Sequence, residues 1–216
     1  LSTLIRTEKL CYDLPGRRLL DAIDFELRQG ERMALGGDNG SGKTTFLELL
    51  VGLHPTSSGT IWAFGKPRLT EPDFREVRRQ AGLLFQDADD QLFSPTVLED
   101  VAFGPLNLGQ SAAQSERTAL ATLDRLGLSG LERRITHHLS GGEKRMVALA
   151  TVLAMEPRVL LLDEPSNALD RKARERMIET LQALPQAMLL VSHDEALLQA
   201  LATRRCRIES CRLVAD

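Results

Sequence analysis

The run GDNGSGKT at residues 37–44 constrains this chain more than any other feature of it. It is a complete G-x-x-x-x-G-K-T pattern. The apolar run MALG precedes it and FLELL follows, so the chain passes from a strand through a glycine loop into a helix. Gly37, Gly40 and Gly42 permit a tight backbone, with the N–H groups of residues 40–45, Ser41 and Thr45 among them, pointing inward. A concavity of this kind at a helix N-terminus suits a polyphosphate. Lys43 is expected to reach the β- and γ-phosphates, with Asn39 of the same loop also contacting the nucleotide, and the Thr44 hydroxyl to take a Mg2+ position. A loop that merely turned the chain would need neither the lysine nor the threonine.

A second half of the same chemistry lies at VLLLDEP, residues 159–165. An apolar strand delivers Asp163 to its end, where a carboxylate can hold Mg2+ through water. Glu164, one residue on, is placed to orient and deprotonate an attacking water. Alone, an apolar run ending in Asp–Glu is often just a solvated strand end; beside Lys43 it becomes specific.

The rest of the chain is arranged around these two pieces. AIDFELRQGERMALG reads as a strand pair, since Ile23, Phe25 and Leu27 alternate with Asp24 and Glu26 before Gly30. GTIWAFG and AGLLFQ read as short strands. From about residue 97 to 155 the signals turn helical, in TVLEDVAF, QSERTALATLDRLGL and GGEKRMVALATVLAM. Alternation of strand and helix returns with RVLLLDEP, RKARERMIETLQAL, QAMLLVSHD and EALLQALA, and RRCRIESCRLVAD reads as a last strand and tail. The economical organisation is a single α/β domain. Residues 1–86 and 156–216 form its nucleotide-binding core and 87–155 an inserted helical lobe.

Composition narrows the function classes. With 216 residues, 43% of them hydrophobic, the chain can bury a full core. A net charge of -3 gives no global pull toward nucleic acid or anionic lipid. Cys11, Cys206 and Cys211 lack metal-like spacing and suit a reducing compartment. The first ten residues lack a signal-peptide apolar core. The richest apolar run, VALATVLAM, has nine residues, against the roughly 18 or more of a membrane span.

LSGGE at residues 139–143 lies between the two phosphate motifs and opens a helical stretch. Ser140 and Glu143 have the spacing of a capping box, which does not account for the paired glycines. With this motif in place, the chain resembles the nucleotide-binding domains of ABC transporters over almost its whole length. The family's phosphate loop, Gln loop, signature, DE-ending strand, LD loop and switch histidine have counterparts here in GDNGSGKTT, LLFQ, LSGGE, LLLDEP, SNALD and VSHD, in that order. The resemblance implies a P-loop fold of ABC ATPase type, with a small antiparallel β subdomain and an inserted helical subdomain. It also implies Mg2+-dependent ATP hydrolysis by a head-to-tail dimer with two ATPs between the copies.

Site roles follow from the same resemblance. Ser140, Gly141 and Gly142 of one copy would face the ATP held by the other, as a second helix N-terminus aimed at the γ-phosphate. Gln86 would touch the metal and the lytic water, His193 would contact the γ-phosphate and hold Glu164 or the water, and Asp170 would act across the dimer. Adenine would meet Tyr12 or Leu14, whose shared strand face follows from the two-residue period. His54, His137 and His138 receive no role. Asp38, Glu143 and Ala168 stand where the family commonly has Pro, Gln and Gly.

QDADDQLFSPTVLEDVAFGPLNLG, beginning at Gln86, is similar to the corresponding run of energy-coupling-factor and cobalt/nickel importer ATPases. That implies uptake of a transition metal, biotin or another vitamin. The partners implied are a like ATPase, as homodimer or heterodimer, a transmembrane coupling protein and a substrate-binding membrane protein. The chain would then work at the cytoplasmic face of the cell membrane, with no direct nucleic-acid partner. Asp87, Asp89 and Asp90 are expected on a solvated loop face. Leu92, Phe93 and Pro95 are expected in a groove for a partner helix, unless Phe93 packs within its own lobe. Only about 23 residues follow His193, which implies a short or trimmed form of this group. The alternatives are an ATPase of another transporter subgroup and a non-transport ABC ATPase; the chain lacks the coiled-coil insertion or second domain usual in the latter.

Overall fold

In the computed structural model, which describes residues 2–215, the alternation Ile23–Leu27 forms part of strand β2 (Arg17–Arg28). Ile23, Phe25 and Leu27 are buried while Asp24 is exposed. β2 pairs antiparallel with β1 (Thr3–Leu14), β1 with β4 (Ser58–Ala63), and β4 with β5 (Lys66–Arg68). Among the described residues this is a four-stranded sheet of order β2-β1-β4-β5.

β3 (Arg32–Gly37) does not pair with β2, so the expected strand pair divides between two sheets. The reason is apolarity on both faces: Met33, Ala34 and Leu35 are all buried, which suits the interior of a parallel sheet. β3 runs parallel to β8 (Ala187–Val191) and β9 (Arg204–Glu209), and β8 parallel to β7 (Val159–Asp163). The order is β10-β9-β3-β8-β7-β6, with β6 at Ala81–Leu84 and β10 at Arg212–Ala215. β7 and β8 are buried at every residue. The two sheets share a core with α1 (Lys43–Leu50), where Phe25 meets Phe46 edge to face at 5.2 Å. Each such fully buried side chain contributes about 1.5–3 kcal/mol of transfer free energy.

RRCRIESCRLVAD is two strands rather than one, because Ser210 and Cys211 both take positive φ, 49° and 66°, and turn β9 into β10. α2 (Glu71–Arg78) is a helix the hydrophobic pattern did not announce; only Val77 of its residues is buried.

The chain separates into two compact units: Leu1–Leu83, Arg158–Glu164 and Pro185–Asp216 in one, Leu84–Pro157 and Pro165–Leu184 in the other. The first holds both sheets, α1, α2 and α7 (Glu195–Leu201). The second holds α3 (Val97–Asn107), α4 (Ala112–Arg125), α5 (Gly141–Leu153) and α6 (Arg171–Gln182). Residues 165–184 therefore belong with the helical part, where the sequence reading had grouped them with the core. Contacts within that unit explain it. Arg176 of α6 donates to the carbonyls of Leu126 and Gly127 at the end of α4, and a Cβ at Gly142 would lie 3.3 Å from that of Ala173.

Candidate active site

The glycine loop closes between β3 and α1 as its composition requires. Gly37 has φ 133°, and an added Cβ would stand 2.7 Å from the Ile208 carbonyl oxygen and 2.8 Å from Ser41 Oγ. Gly42 has φ 104° and is pressed by Leu19 and Leu20, so both positions exclude a side chain by conformation and by space. Lys43 is 9% exposed; its ammonium donates to the carbonyls of Gly37 at 2.6 Å and Asp38 at 3.0 Å, which holds the cation over the loop.

The helix that follows is the exception among the described α-helices. α2, α3, α4 and α5 each carry a capping box, and α6 and α7 are capped by Asp170 and Asp194. α1 starts at Gly42 with no side-chain cap and no acidic residue in its first turn. Its first N–H groups and its dipole are thus left for an anion. Ser41 Oγ, buried and without a hydrogen-bond partner among the described residues, adds a hydroxyl at the same place. These features fit a polyphosphate. Thr44 in the first turn of α1 and the buried Asp163 at the end of β7 offer oxygen donors, which fit a hard cation such as Mg2+. No cluster of three or more His, Cys, Asp or Glu suited to a metal occurs among the described residues.

Glu164 follows Asp163 with φ 46°, a left-handed conformation uncommon outside glycine. Its N–H donates to the Val191 carbonyl at 2.8 Å, and its Oε2 accepts the His193 N–H at 3.2 Å. His193 Nε2 lies 3.6 Å from Glu164 Oε1. The parallel pairing of Asp163 with Val191 brings the two motif ends together. Tyr12 and Leu14 are both half-buried against the same core, with Asp13 exposed between them. The Tyr12 ring lies 5.8 Å from that of His54, whose Nε2 is 3.1 Å from Glu48 Oε2.

In the helical unit, Ser140 is the N-cap of α5. Its N–H and hydroxyl both donate to Glu143 Oε2 at 2.8 Å, and the Glu143 N–H returns a bond to Ser140 Oγ at 3.3 Å. The N–H and hydroxyl of Ser140 hold the Glu143 carboxyl below its usual range. Ser140 and Gly141 are exposed at the helix start. Asp170 caps α6 through the Ala173 N–H at 2.8 Å, two residues after Ala168 at φ 58°. Gln86 lies in the same unit, with its carbonyl accepting from Arg145 at 3.1 Å. Asp87, Asp89 and Asp90 are all exposed, and Asp89 also pairs with Lys144 at 2.6 Å. Leu92 is 3% exposed and belongs to the core rather than to a groove, while Phe93 is 63% exposed against Phe103.

Two groups escaped the sequence reading. Arg145 is 3% exposed, and its signal was a cation directly before Met146–Ala150, all buried. Asp100, also 3% exposed, accepts the N–H groups of Phe93 at 3.2 Å and Ser94 at 2.8 Å.

A strand–glycine loop–helix with a buried lysine, and a strand ending in Asp–Glu, define a P-loop ATPase. Family comparison makes this more specific. A sequence profile described as ABC transporter matches residues 20–167, and the chain belongs to that family. It is 51% identical to a Brucella suis protein named as an ABC transporter ATP-binding protein, over 99% of this chain and 89% of that one. With the energy-coupling factor transporter ATP-binding protein EcfA of Methanothermobacter thermautotrophicus the identity is 38%, over 99% and 70%. Among solved structures, cbiO1 of Clostridium perfringens, described as part of the ABC transporter complex cbiONQ, superposes with a TM-score of 0.87 at 31% identity. That match covers 99% of this chain and 88% of the other. The ATP-binding cassette MJ0796, in a dimeric post-hydrolysis state with ADP and Pi, shares the fold with a TM-score of 0.87 at 23% identity, over 98% of each chain. The protein is an ABC-type ATPase with the α/β fold of that class. Among the described residues no helix is long and apolar enough to cross a membrane.

Proposed function

We propose that this chain is the motor subunit of an importer of the energy-coupling-factor and cobalt/nickel group, hydrolysing ATP to drive uptake of a transition metal ion or vitamin. The observation that carries the hydrolytic part is the pairing of Glu164 with His193 beside Asp163. The likeness to EcfA and to cbiO1 supports the subgroup.

The residue roles follow from chemistry. Lys43 binds the β- and γ-phosphates, the N–H groups of the Gly37–Thr45 loop and the start of α1 hold the remaining oxygens, and Tyr12 or Leu14 meets the adenine. Mg2+, held by Thr44, Asp163 and Gln86, would neutralise charge on the β- and γ-oxygens. Glu164 takes the proton of the attacking water, and His193 fixes the Glu164 carboxylate through its N–H and contacts the γ-phosphate through its ring. Ser140, Gly141 and Gly142 of a second copy complete the site, with Asp170 across the interface. The active form is then a head-to-tail pair, either of this chain or with a like ATPase.

The exposed apolar residues Phe93, Phe103 and Leu106 of the helical unit offer a surface for a helix of a transmembrane coupling protein, which a substrate-binding membrane protein accompanies. The chain would work from the cytoplasmic face. Glu164→Gln tests the site: ATP affinity by titration stays within about twofold, while turnover falls by about two orders of magnitude or more and an ATP-bound pair accumulates. Steady-state hydrolysis at the unaltered rate would refute Glu164 as the base. Pull-down from membranes tests the assignment, since recovery of ribosomes or DNA in place of membrane proteins would sink the importer reading.

A further inference from the structure

The two helix starts proposed to meet the γ-phosphate differ in what they already hold. α1 begins bare, with no capping side chain and no acid in its first turn. α5 begins closed on itself. Glu143 Oε2 accepts both the N–H and the hydroxyl of Ser140 at 2.8 Å, and Ser140 Oγ accepts the Glu143 N–H at 3.3 Å.

A serine hydroxyl has one proton to donate. Here it goes to a carboxylate, and the N–H of the same residue goes to the same oxygen. Such charge-assisted bonds are the stronger kind. The Ser140 N–H, its hydroxyl and, less strongly, the charge of Arg134 hold the Glu143 carboxyl below its usual range, so it is an anion at neutral pH. A negative charge therefore already sits at the positive end of the α5 dipole. The cap itself does not need that charge. α4 of the same unit closes with the same geometry on a neutral residue: Gln114 Oε1 accepts the Ser111 N–H and hydroxyl, both at 3.0 Å, and the Gln114 N–H returns to Ser111 Oγ at 3.4 Å. The charge at Glu143 is thus surplus to capping. It lies within one turn of Gly141, where an added Cβ would meet nothing within 4 Å and the helix start is open to an incoming group.

We propose that Glu143 is an internal counter-ligand, whose carboxylate occupies the Ser140 donors that the partner copy's γ-phosphate must take and so sets a threshold on ATP-driven pairing. For the phosphate to receive the hydroxyl proton, the Ser140–Glu143 bond opens and two anions share one helix start. Like charges brought together in this way oppose association. The closed form of α5 is then the resting form, and closure of the pair works against it. This rests on the proposed role of the signature.

The test uses the full chain in the Glu164→Gln background, with and without Glu143→Gln. Glutamine keeps an acceptor for the Ser140 N–H and hydroxyl, as Gln114 does on α4, and removes only the charge. Pairing is read at saturating ATP by light scattering against protein concentration, ATP affinity by titration of dilute chain, and stability by thermal unfolding. The expected result is pairing tightened about tenfold, as the loss of one charged competitor implies, with ATP affinity within about twofold and Tm not raised. The gain shrinks at about 0.5 M salt, because the repulsion removed is electrostatic. Pairing no tighter than in Glu164→Gln alone would overturn the inference. So would a gain that salt leaves intact and that comes with a higher Tm, which would make the change one of helix stability. Ser140→Ala in the same background separates the inference from its footing. Pairing undiminished by Ser140→Ala would overturn the signature reading, and this inference with it. Pairing weakened by Ser140→Ala but unaltered by Glu143→Gln would overturn the inference alone.

Discussion

Glu164 and Ala168 are non-glycine residues in the left-handed region, at φ 46° and 58°, on the stretch leading from β7 toward α6. An L-residue there costs about 1–2 kcal/mol, and glycine would avoid that cost while losing more entropy on folding. Ala168→Gly is therefore expected to leave stability unchanged or to raise it by about 0–1 kcal/mol, a Tm gain of up to about 4 °C. Thermal unfolding monitored by circular dichroism checks this, and a loss above about 1 kcal/mol would mean the Ala168 methyl makes a contact worth more than the strain. At this scale the phosphate-loop and strand-end residues were legible because their motifs are local. Each needs only its immediate neighbours to be read. The burial of Leu92 and the pairing of Asp89 with Lys144 were not, since neither is written in the residues beside them and Lys144 lies on a helix more than fifty residues away in sequence.

At the level of elements, caps are spent freely and read easily once sought. Thr70–Asp73 marks the start of α2, which its single buried residue, Val77, could not. The β9–β10 turn was hidden because Ser210–Cys211 takes a conformation usually signalled by Asn or Gly. Asp100 of α3 offers a pH experiment. Burial pushes its carboxyl above the usual value of 3.8, so the folded chain keeps that proton to higher pH than the unfolded chain does. Its contribution to stability then falls as pH rises from about 3.8 through the folded pKa, and is least at neutral pH. Asp100→Asn retains an oxygen for Phe93 and Ser94, and should remove that slope in urea titrations between pH 4 and 7. Asp100→Ala strips both N–H groups of their acceptor and should cost about 1–3 kcal/mol. A slope unchanged in Asp100→Asn would assign the effect to another group. Glu143 acts with the opposite sign: its bonds to Ser140 stabilise above its unfolded value of 4.5 and are lost as pH falls below its depressed folded one.

For the molecule as a whole, the order of motifs announced an ATPase core with a helical insertion, and composition could not place residues 165–184, which pack with helices by contacts such as Arg176 on Gly127. The same limit applies to surfaces. Only the structure distinguishes Phe93, 63% exposed, from its buried neighbour Leu92. Phe93→Asp is expected to leave Tm and basal ATPase activity unaltered while co-purification with membrane partners is lost. A fall in Tm of several degrees would instead make the ring part of the fold.

The bare start of α1 has a consequence for anyone seeking a hardier version of this protein. Consensus helix improvement would put an acidic residue in its first turn or a capping side chain at Gly42, each a gain of about 0.5–2 kcal/mol in an ordinary helix. Here an acidic residue would repel the charge of a nucleotide bound at the proposed site. A cap at Gly42, where conformation and neighbours leave no place for a side chain, would compete for the same N–H groups. Heat tolerance and substrate affinity thus compete for one turn of backbone, and thermostabilising substitutions belong on the other six helices.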